Sequence, residues 1–288
     1  MSARESRGVA FWGRTFSFMV LAFYTAMSLL SLYLLVVGSL SRIGTTLELS
    51  DLHWYPKDWA WENFATFLEI TGGAAPIWFR NSFLVAFLPT VFNLFFSAMA
   101  GYALAKLDFP GRQFIFWTII AVMAIPAFVT LIPMYQMMFR FGWFDTYFAL
   151  LVPRMAGLGG IFLFKQFTQT LPGDLMEAAR MDGASEATIF LRIVLPLATP
   201  VLAVMFLLDF VAGWSDYFWP YLVTNSRGLL TLQVGLISLI GVDQGFILPH
   251  DMGAILAGAL IASLPVIVLF VSLQKYFVRG LTLGAVKG

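Results

Sequence analysis

Between Arg80 and Lys106 the chain reads Asn81-Ser82-Phe83-Leu84-Val85-Ala86-Phe87-Leu88-Pro89-Thr90-Val91-Phe92-Asn93-Leu94-Phe95-Phe96-Ser97-Ala98-Met99-Ala100-Gly101-Tyr102-Ala103-Leu104-Ala105, without a single charged side chain. At the helical rise this run makes a rod of about 37 Å, and a bilayer core of about 30 Å needs about 20 such residues. Its natural solvent is lipid. Three more runs share the property: Arg14 to Arg42, Arg112 to Arg140, and Asp251 to Lys275. Two further apolar stretches carry charges inside, Tyr147 to Phe164 with Arg154, and Pro196 to Val223 with Asp209 and Asp216. The predicted fold is an all-α integral membrane protein with six transmembrane helices. Runs this long exclude a membrane barrel, whose strands are short segments of alternating character.

Composition agrees. The 288 residues are 60% hydrophobic and 11% charged, with thirty phenylalanines and a mean hydropathy of +0.84. A soluble domain is about 25% charged and about 45–50% apolar even with glycine counted. A disulfide scaffold, a nucleic-acid binder and a disordered chain are excluded, and the expected surroundings are a lipid bilayer. Zero cysteines removes thiolate chemistry and cysteine metal sites, and a net charge of +1 points to no partner.

Orientation follows from the excess of Lys and Arg on the cytoplasmic side. With six spans, one side receives Arg4, Arg7, Arg14, Lys106, Arg112, Lys165, Arg180, Arg192, Lys275, Arg279 and Lys287. The other receives Arg42, Lys57, Arg80, Arg140 and Arg227, with Arg154 inside a span on that side. Both termini are therefore expected in the cytoplasm. The first run is too long for the apolar core of a signal peptide, about 7–15 residues, and reads as an anchor. Gly228 to Val242 is too short for a seventh crossing and is expected as a helix at the outer face. The predicted organisation is a cytoplasmic N-terminus (1–14), a transmembrane domain (15–280) and a cytoplasmic tail (281–288) too polar and glycine-rich to hold a helix by itself.

Two loops carry information. The outer loop after the first span holds His53, Trp54, Trp59 and Trp61, aromatics suited to the membrane interface. The cytoplasmic loop between spans 4 and 5 reads Leu171-Pro172-Gly173-Asp174-Leu175-Met176-Glu177-Ala178-Ala179-Arg180-Met181-Asp182-Gly183-Ala184-Ser185. Pro172 suits a first helical turn and Asp174 complements the helix dipole. Gly183 permits a bend with positive φ, and Ser185 is a good N-cap for a second helix ending near Pro196. A short helix, a bend and another helix are expected there. Small Ala178 and Ala179 would leave a low face for another protein.

Glu177-Ala178-Ala179, then Gly183, Ile193, Leu195 and Pro196, resemble the EAA loop of ABC importer permeases. Over nearly its whole length the chain is similar to the maltose-type carbohydrate branch of that family. The similarity includes Asn81-Ser82, Gly101-Tyr102-Ala103-Leu104-Ala105, Phe109-Pro110-Gly111-Arg112, Ile125-Pro126, Ile132-Pro133-Met134-Tyr135, and Trp214-Ser215-Asp216-Tyr217-Phe218-Trp219-Pro220. It continues through Thr231-Leu232-Gln233-Val234-Gly235-Leu236 to the C-terminal segment. Ser215 departs from the asparagine usual there, and Asp209 stands where an uncharged residue is expected.

The resemblance implies the type I ABC importer permease fold and a subunit that moves a di- or oligosaccharide, or a related polyol or sugar phosphate. It implies that 171–196 couples to an ATPase through Glu177, Ala178, Ala179, Asp182 and Gly183. The tail residues Gly284, Ala285, Val286 and Lys287 would also reach the ATPase. The implied partners are a second maltose-type permease as heterodimer, two ABC ATPase subunits and an extracytoplasmic solute-binding protein, in the bacterial inner membrane. ATP and Mg belong to the ATPase, and no cofactor is expected in this chain.

The chain has no Gly-x-x-x-x-Gly-Lys-Ser/Thr phosphate cradle and no catalytic triad or cluster. His53 and His250 fall in outer loops without a second nearby ligand, so no metal site is expected. Gly157, Gly159 and Gly160 read as close helix packing. Ionisable residues within spans point to function by default. Arg154 reads as snorkelling outward or pairing locally. Asp216, beside Trp214 and Trp219, lines an outer vestibule or sits in an aromatic belt. Asp209 is deepest, seven residues before Asp216 and on the same helical face. Asp209, Trp214 and Asp216 are the candidate pathway residues. For Asp209 two readings stand open, a hydrogen bond or ion pair to a neighbouring helix and an acceptor for sugar hydroxyls. A secondary transporter driven by an ion gradient is the competing class, with Asp209 as its support and the cytoplasmic loop left unexplained.

Overall fold

The computed structural model describes residues 3–43, 54–56, 58–240 and 252–285, with 3–13 and 277–285 as backbone alone. His53, His250, Val286 and Lys287 lie outside them, as does the end of Gly228 to Val242. The described residues form helices and no strand; Ser41 and Trp59 make one isolated bridge. Four helices are long and apolar enough to cross a membrane: Arg14–Ser39, Ala75–Lys106, Tyr147–Gln169 and Met252–Tyr276. Two bent pairs bring the number to six if each is counted as one span.

Neither the third nor the fifth expected span is a straight rod. Helix α4 (Arg112–Met123) meets α5 (Ala127–Arg140) at 96°. The cause is Pro126, which lacks an N–H and whose own backbone is extended, with ψ 135°. The fifth expected span, Pro196 to Val223, is cut at both ends. Its long helix (here α11, Thr199–Trp214) stops before Ser215, and a short helix, Phe218–Val223, follows separately. A 76° bend separates Thr199–Trp214 from the preceding Glu186–Leu197. The fourth span loses its α-helical bonds at a 3-10 turn, Val152–Arg154, and resumes over Leu158–Gln169, past its expected end at Phe164.

The chain divides into two compact units, Met1–Gly73 with Leu236–Ala262, and Ala74–Gly235 with Ser263–Gly288. In the first, α1 (Ala3–Ser39) ends where Asn63, itself buried, donates to the carbonyls of Ser39 and Ser41, each at 2.9 Å. Arg42 pairs with Glu62 at 2.7 Å, and the exposed rings of Trp59 and Trp61 stack at 6.0 Å. Phe67 of α2 (Glu62–Ile70) packs against Gly258.

The second unit is organised on α3 (Ala75–Lys106), which packs against Leu158–Gln169 (α7) and α11. At Gly101 an added Cβ would lie 2.9 Å from the Lys165 backbone nitrogen, so α3 and α7 touch backbone to backbone. Gly157 and Gly160 likewise sit against Asn93 and Ser97. Gly159 does not: nothing lies within 4 Å of its missing Cβ, which corrects the packing role given to it. Near the N-terminal end of α3, Asn81 donates to the carbonyls of Gly228 and Leu230, and the Ser82 hydroxyl accepts from Leu232 N–H. Leu232–Ile240 is helical, as expected for that stretch. The last helix, α14 (Met252–Ala285), continues past Gly280 and includes Gly284 and Ala285. Residues 281–285, which would not hold a helix by themselves, extend one already nucleated upstream.

Candidate functional site

The first candidate is the arm between α7 and α11. Helix α8 (Gly173–Met181) has Asp174 in its first turn and Arg180 in its last, both favoured by the helix dipole. It ends in two crossed hydrogen bonds, Ala184 N–H to Ala179 O at 2.9 Å and Gly183 N–H to Arg180 O at 3.0 Å. Gly183 has φ +79°, and nothing lies near its missing Cβ. Glycine is required there by the dihedral, not by space.

The Ser185 hydroxyl then accepts from Thr188 N–H, capping α9 (Glu186–Ile189) as the sequence suggested. A π-turn, Phe190–Val194, and one further turn to Leu197 carry the arm to the bend.

The arm is anchored from within. Met176, Ile189 and Val194 are buried in a core with Tyr102, Phe164 and Met205. Across the bend, Arg180 Nε donates to Glu186 Oε1 at 2.7 Å, and the Tyr102 hydroxyl donates to Glu186 Oε2 at 2.5 Å. Arg180 first, then Tyr102, holds the Glu186 carboxyl below its ordinary range. None of these three was singled out in the sequence, because Tyr102 and Glu186 are 84 positions apart.

Of the expected coupling residues, Glu177, Ala178, Asp182 and Gly183 are exposed. Ala179 is half-buried and packs on the chain's own core, which corrects its place in a low outward face. The outward surface also carries Leu175 and Met181, the latter 88% exposed, which sequence reading did not single out.

The second candidate is a polar cluster within the spans. Arg154 closes the 3-10 turn, and its guanidinium lies between two carboxylates, 3.7 Å from Asp209 and 3.8 Å from Asp216. It donates to the Asp209 carbonyl at 3.2 Å, and its buried Nε has no partner among the described residues. Asn93 of α3 donates to Asp209 Oδ2 at 3.1 Å, while its own Oδ1 accepts from Gly157 N–H at 2.7 Å and Ser97 Oγ at 3.0 Å. Asp216 sits in the turn beyond α11 and accepts from Trp219 N–H at 3.3 Å, so it does not continue the helical face of Asp209.

The cluster decides the local reading of Arg154 and supplies Asp209 with a partner. Trp214 does not join it. Its ring is 1% exposed, stacked on Phe210 at 5.9 Å and edge-on to Phe79 at 5.4 Å, so its assignment to the pathway is corrected to core packing. Asn93 went unnoticed in a run of phenylalanines. Among the described residues no group of acidic or histidine side chains forms a metal site.

A helical chain with paired, partly buried charges in its spans and a braced helical arm between two of them belongs to the class of transport membrane subunits. This chain is a member of the family of binding-protein-dependent transport system inner membrane components, whose pattern matches residues 94–283. It is 36% identical over 275 residues to the arabinooligosaccharides transport system permease protein AraQ of Bacillus subtilis (strain 168), covering 92% of this chain and 94% of that protein. It is 36% identical over 201 residues to the sn-glycerol-3-phosphate transport system permease protein UgpE of Yersinia pestis bv. Antiqua (strain Antiqua), covering 70% of each. In fold it resembles a chain of a bacterial ABC transporter involved in the import of the acidic polysaccharide alginate. That likeness has a TM-score of 0.79 at 24% identity, over 96% of this chain and 99% of the other.

Proposed function

We propose that this chain is one of two unlike permease subunits of an ATP-driven carbohydrate importer in a bacterial inner membrane. In this reading it crosses the bilayer six times with both termini in the cytoplasm. Two ATPase subunits bind ATP and Mg below it, and a solute-binding protein delivers the substrate above. The observation that carries the reading is the arm 173–197, braced from inside while Glu177, Ala178, Asp182 and Met181 point outward. Such an arm transmits displacement, since its bend is held by a buried core and a charge-assisted staple. Gly284, Ala285, Val286 and Lys287 provide a second ATPase contact. The carbohydrate class rests on the relatives AraQ and UgpE. The ion-driven reading loses its support, because Asp209 pairs with Arg154.

The test is co-purification of an ATPase with the tagged chain, together with uptake of labelled arabinotriose and maltotriose. In this reading Glu177 pairs with a basic residue of the ATPase, and truncating one member of a buried interfacial charge pair costs about 2–5 kcal/mol. Glu177→Ala is therefore expected to lose ATPase and uptake while the spans still assemble, and deletion of 282–288 to lower uptake more than abundance. Retention of the ATPase and full uptake in Glu177→Ala would remove the coupling role.

A further inference from the structure

Beside the polar cluster lies a cavity of about 270 Å³, between α7 and α11, with Asn93 and Asp209 in its wall. Its polar lining is oriented. Asn93 is 7% exposed, and its Oδ1 is occupied by Gly157 N–H and Ser97 Oγ, so its nitrogen must face Asp209. One amide hydrogen goes to Asp209 Oδ2, which leaves the second amide hydrogen beside a carboxylate. Asp209 Oδ1 stands 3.7 Å from Arg154 Nη2, an ion pair beyond hydrogen-bonding distance.

A donor next to an acceptor suits a hydroxyl, which accepts from one and donates to the other. The rest of the wall is aliphatic, with Leu163 and Leu208 exposed beside it. The size is near the lower bound of ligand pockets, about 300–1,000 Å³, which admits one sugar ring and not an oligosaccharide. Charge selects further: one guanidinium stands against Asp209 and Asp216, so a phosphate or uronate would meet an excess of like charge.

We propose that this cavity is a subsite for one ring of a neutral saccharide, with Asn93 donating to and Asp209 accepting from a ring hydroxyl. The proposal rests on the carbohydrate-permease reading and narrows it to uncharged sugars.

Gly159 offers the test, because it lines the cavity and nothing lies within 4 Å of its missing Cβ. The chain has no cysteine, so Gly159→Cys places a single reporter in it. In the complete transporter in proteoliposomes, arabinotriose should slow alkylation of Gly159→Cys by N-ethylmaleimide, and sn-glycerol-3-phosphate should not. Gly159→Leu should raise the KM for arabinotriose about tenfold or more, the loss expected when hydrogen bonds to a charged group are denied, with the complex assembled to the wild-type level. Wild-type uptake of arabinotriose combined with unchanged alkylation, or with an unchanged KM in Gly159→Leu, overturns the subsite and leaves the permease reading standing. Equal protection by sn-glycerol-3-phosphate overturns the neutral-sugar assignment. A wild-type transporter that accumulates neither arabinotriose nor maltotriose overturns the carbohydrate reading and the subsite together.

Discussion

Replacing Gly183 separates backbone strain from crowding at the bend of the arm. At φ +79°, with nothing near its missing Cβ, a side chain meets no atom and only the dihedral resists. For an L-residue that resistance is about 1–2 kcal/mol, and asparagine escapes most of it. Gly183→Ala should therefore open the Ala184–Ala179 and Gly183–Arg180 hydrogen bonds about 5- to 30-fold more often, at about 1.4 kcal/mol per tenfold. Gly183→Val should exceed alanine, and Gly183→Asn should stay near glycine. Hydrogen–deuterium exchange of the 179–185 amides in the purified subunit reads this directly. If asparagine opens the bend as much as valine, space and not backbone geometry governs the position, and the argument fails. Gly183→Asp, also tolerant of this geometry, should leave exchange near wild type, so under the proposed coupling role any loss of uptake in it arises from the exposed surface of the arm and not from the bend.

Three other outcomes follow from the geometry. Arg154→Leu orphans Asp209 and Asp216; loss of a buried partner costs about 3–5 kcal/mol, less here because each carboxylate is about a quarter exposed. Thermal unfolding in detergent should fall well below wild type, and further than for Asp209→Asn, which keeps the Asn93 contact; equal melting temperatures would refute the pairing. Gly101→Val should prevent α3 and α7 from closing and abolish accumulation of folded protein, seen by size-exclusion chromatography. In the loop before Tyr147, Asp145 at φ 56° accepts from the Asn225 and Ser226 amides and the Ser226 hydroxyl. Its carboxyl lies below its ordinary value of 3.8, chiefly through the Ser226 side chain. A depressed carboxylate stabilises the fold above its unfolded pKa and loses that contribution as pH falls through the folded one. Protease access at 225–226 should therefore rise only below about pH 4 and be raised at neutral pH by Asp145→Ala.

The arm between α7 and α11 was legible because its signals are local. Asp174, Gly183 and Ser185 each act within one turn and stand where the backbone needs them, while Pro172, expected in the first turn, caps the helix from just outside it. The polar cluster was not, because Asn93 and Arg154 reach Asp209 from 116 and 55 positions away. A lone asparagine among phenylalanines announces nothing about what it will face. A proline inside an apolar run disfavours a continuous helix, yet the 96° angle at Pro126 depends on how α4 and α5 each find support. Trp214 was misassigned because an aromatic beside a carboxylate looks the same in sequence whether it faces water or the core.

The break at Pro126 also maps where lipid can touch this chain. Pro126 is midway between Arg112 and Arg140, the charges that bound the run. Every helix end leaves amide and carbonyl groups without partners inside the helix, and the bent pair brings two ends together at that level. Hydrocarbon cannot solvate such groups; irregular backbone at membrane depth survives only against protein or a wet cavity. Where the pair crosses as one span, the corner at residues 124–126 must therefore lie against protein or water and not against acyl chains. The apolar flanks of α4 and α5, Phe114 and Phe128 among them, are exposed and free of that constraint.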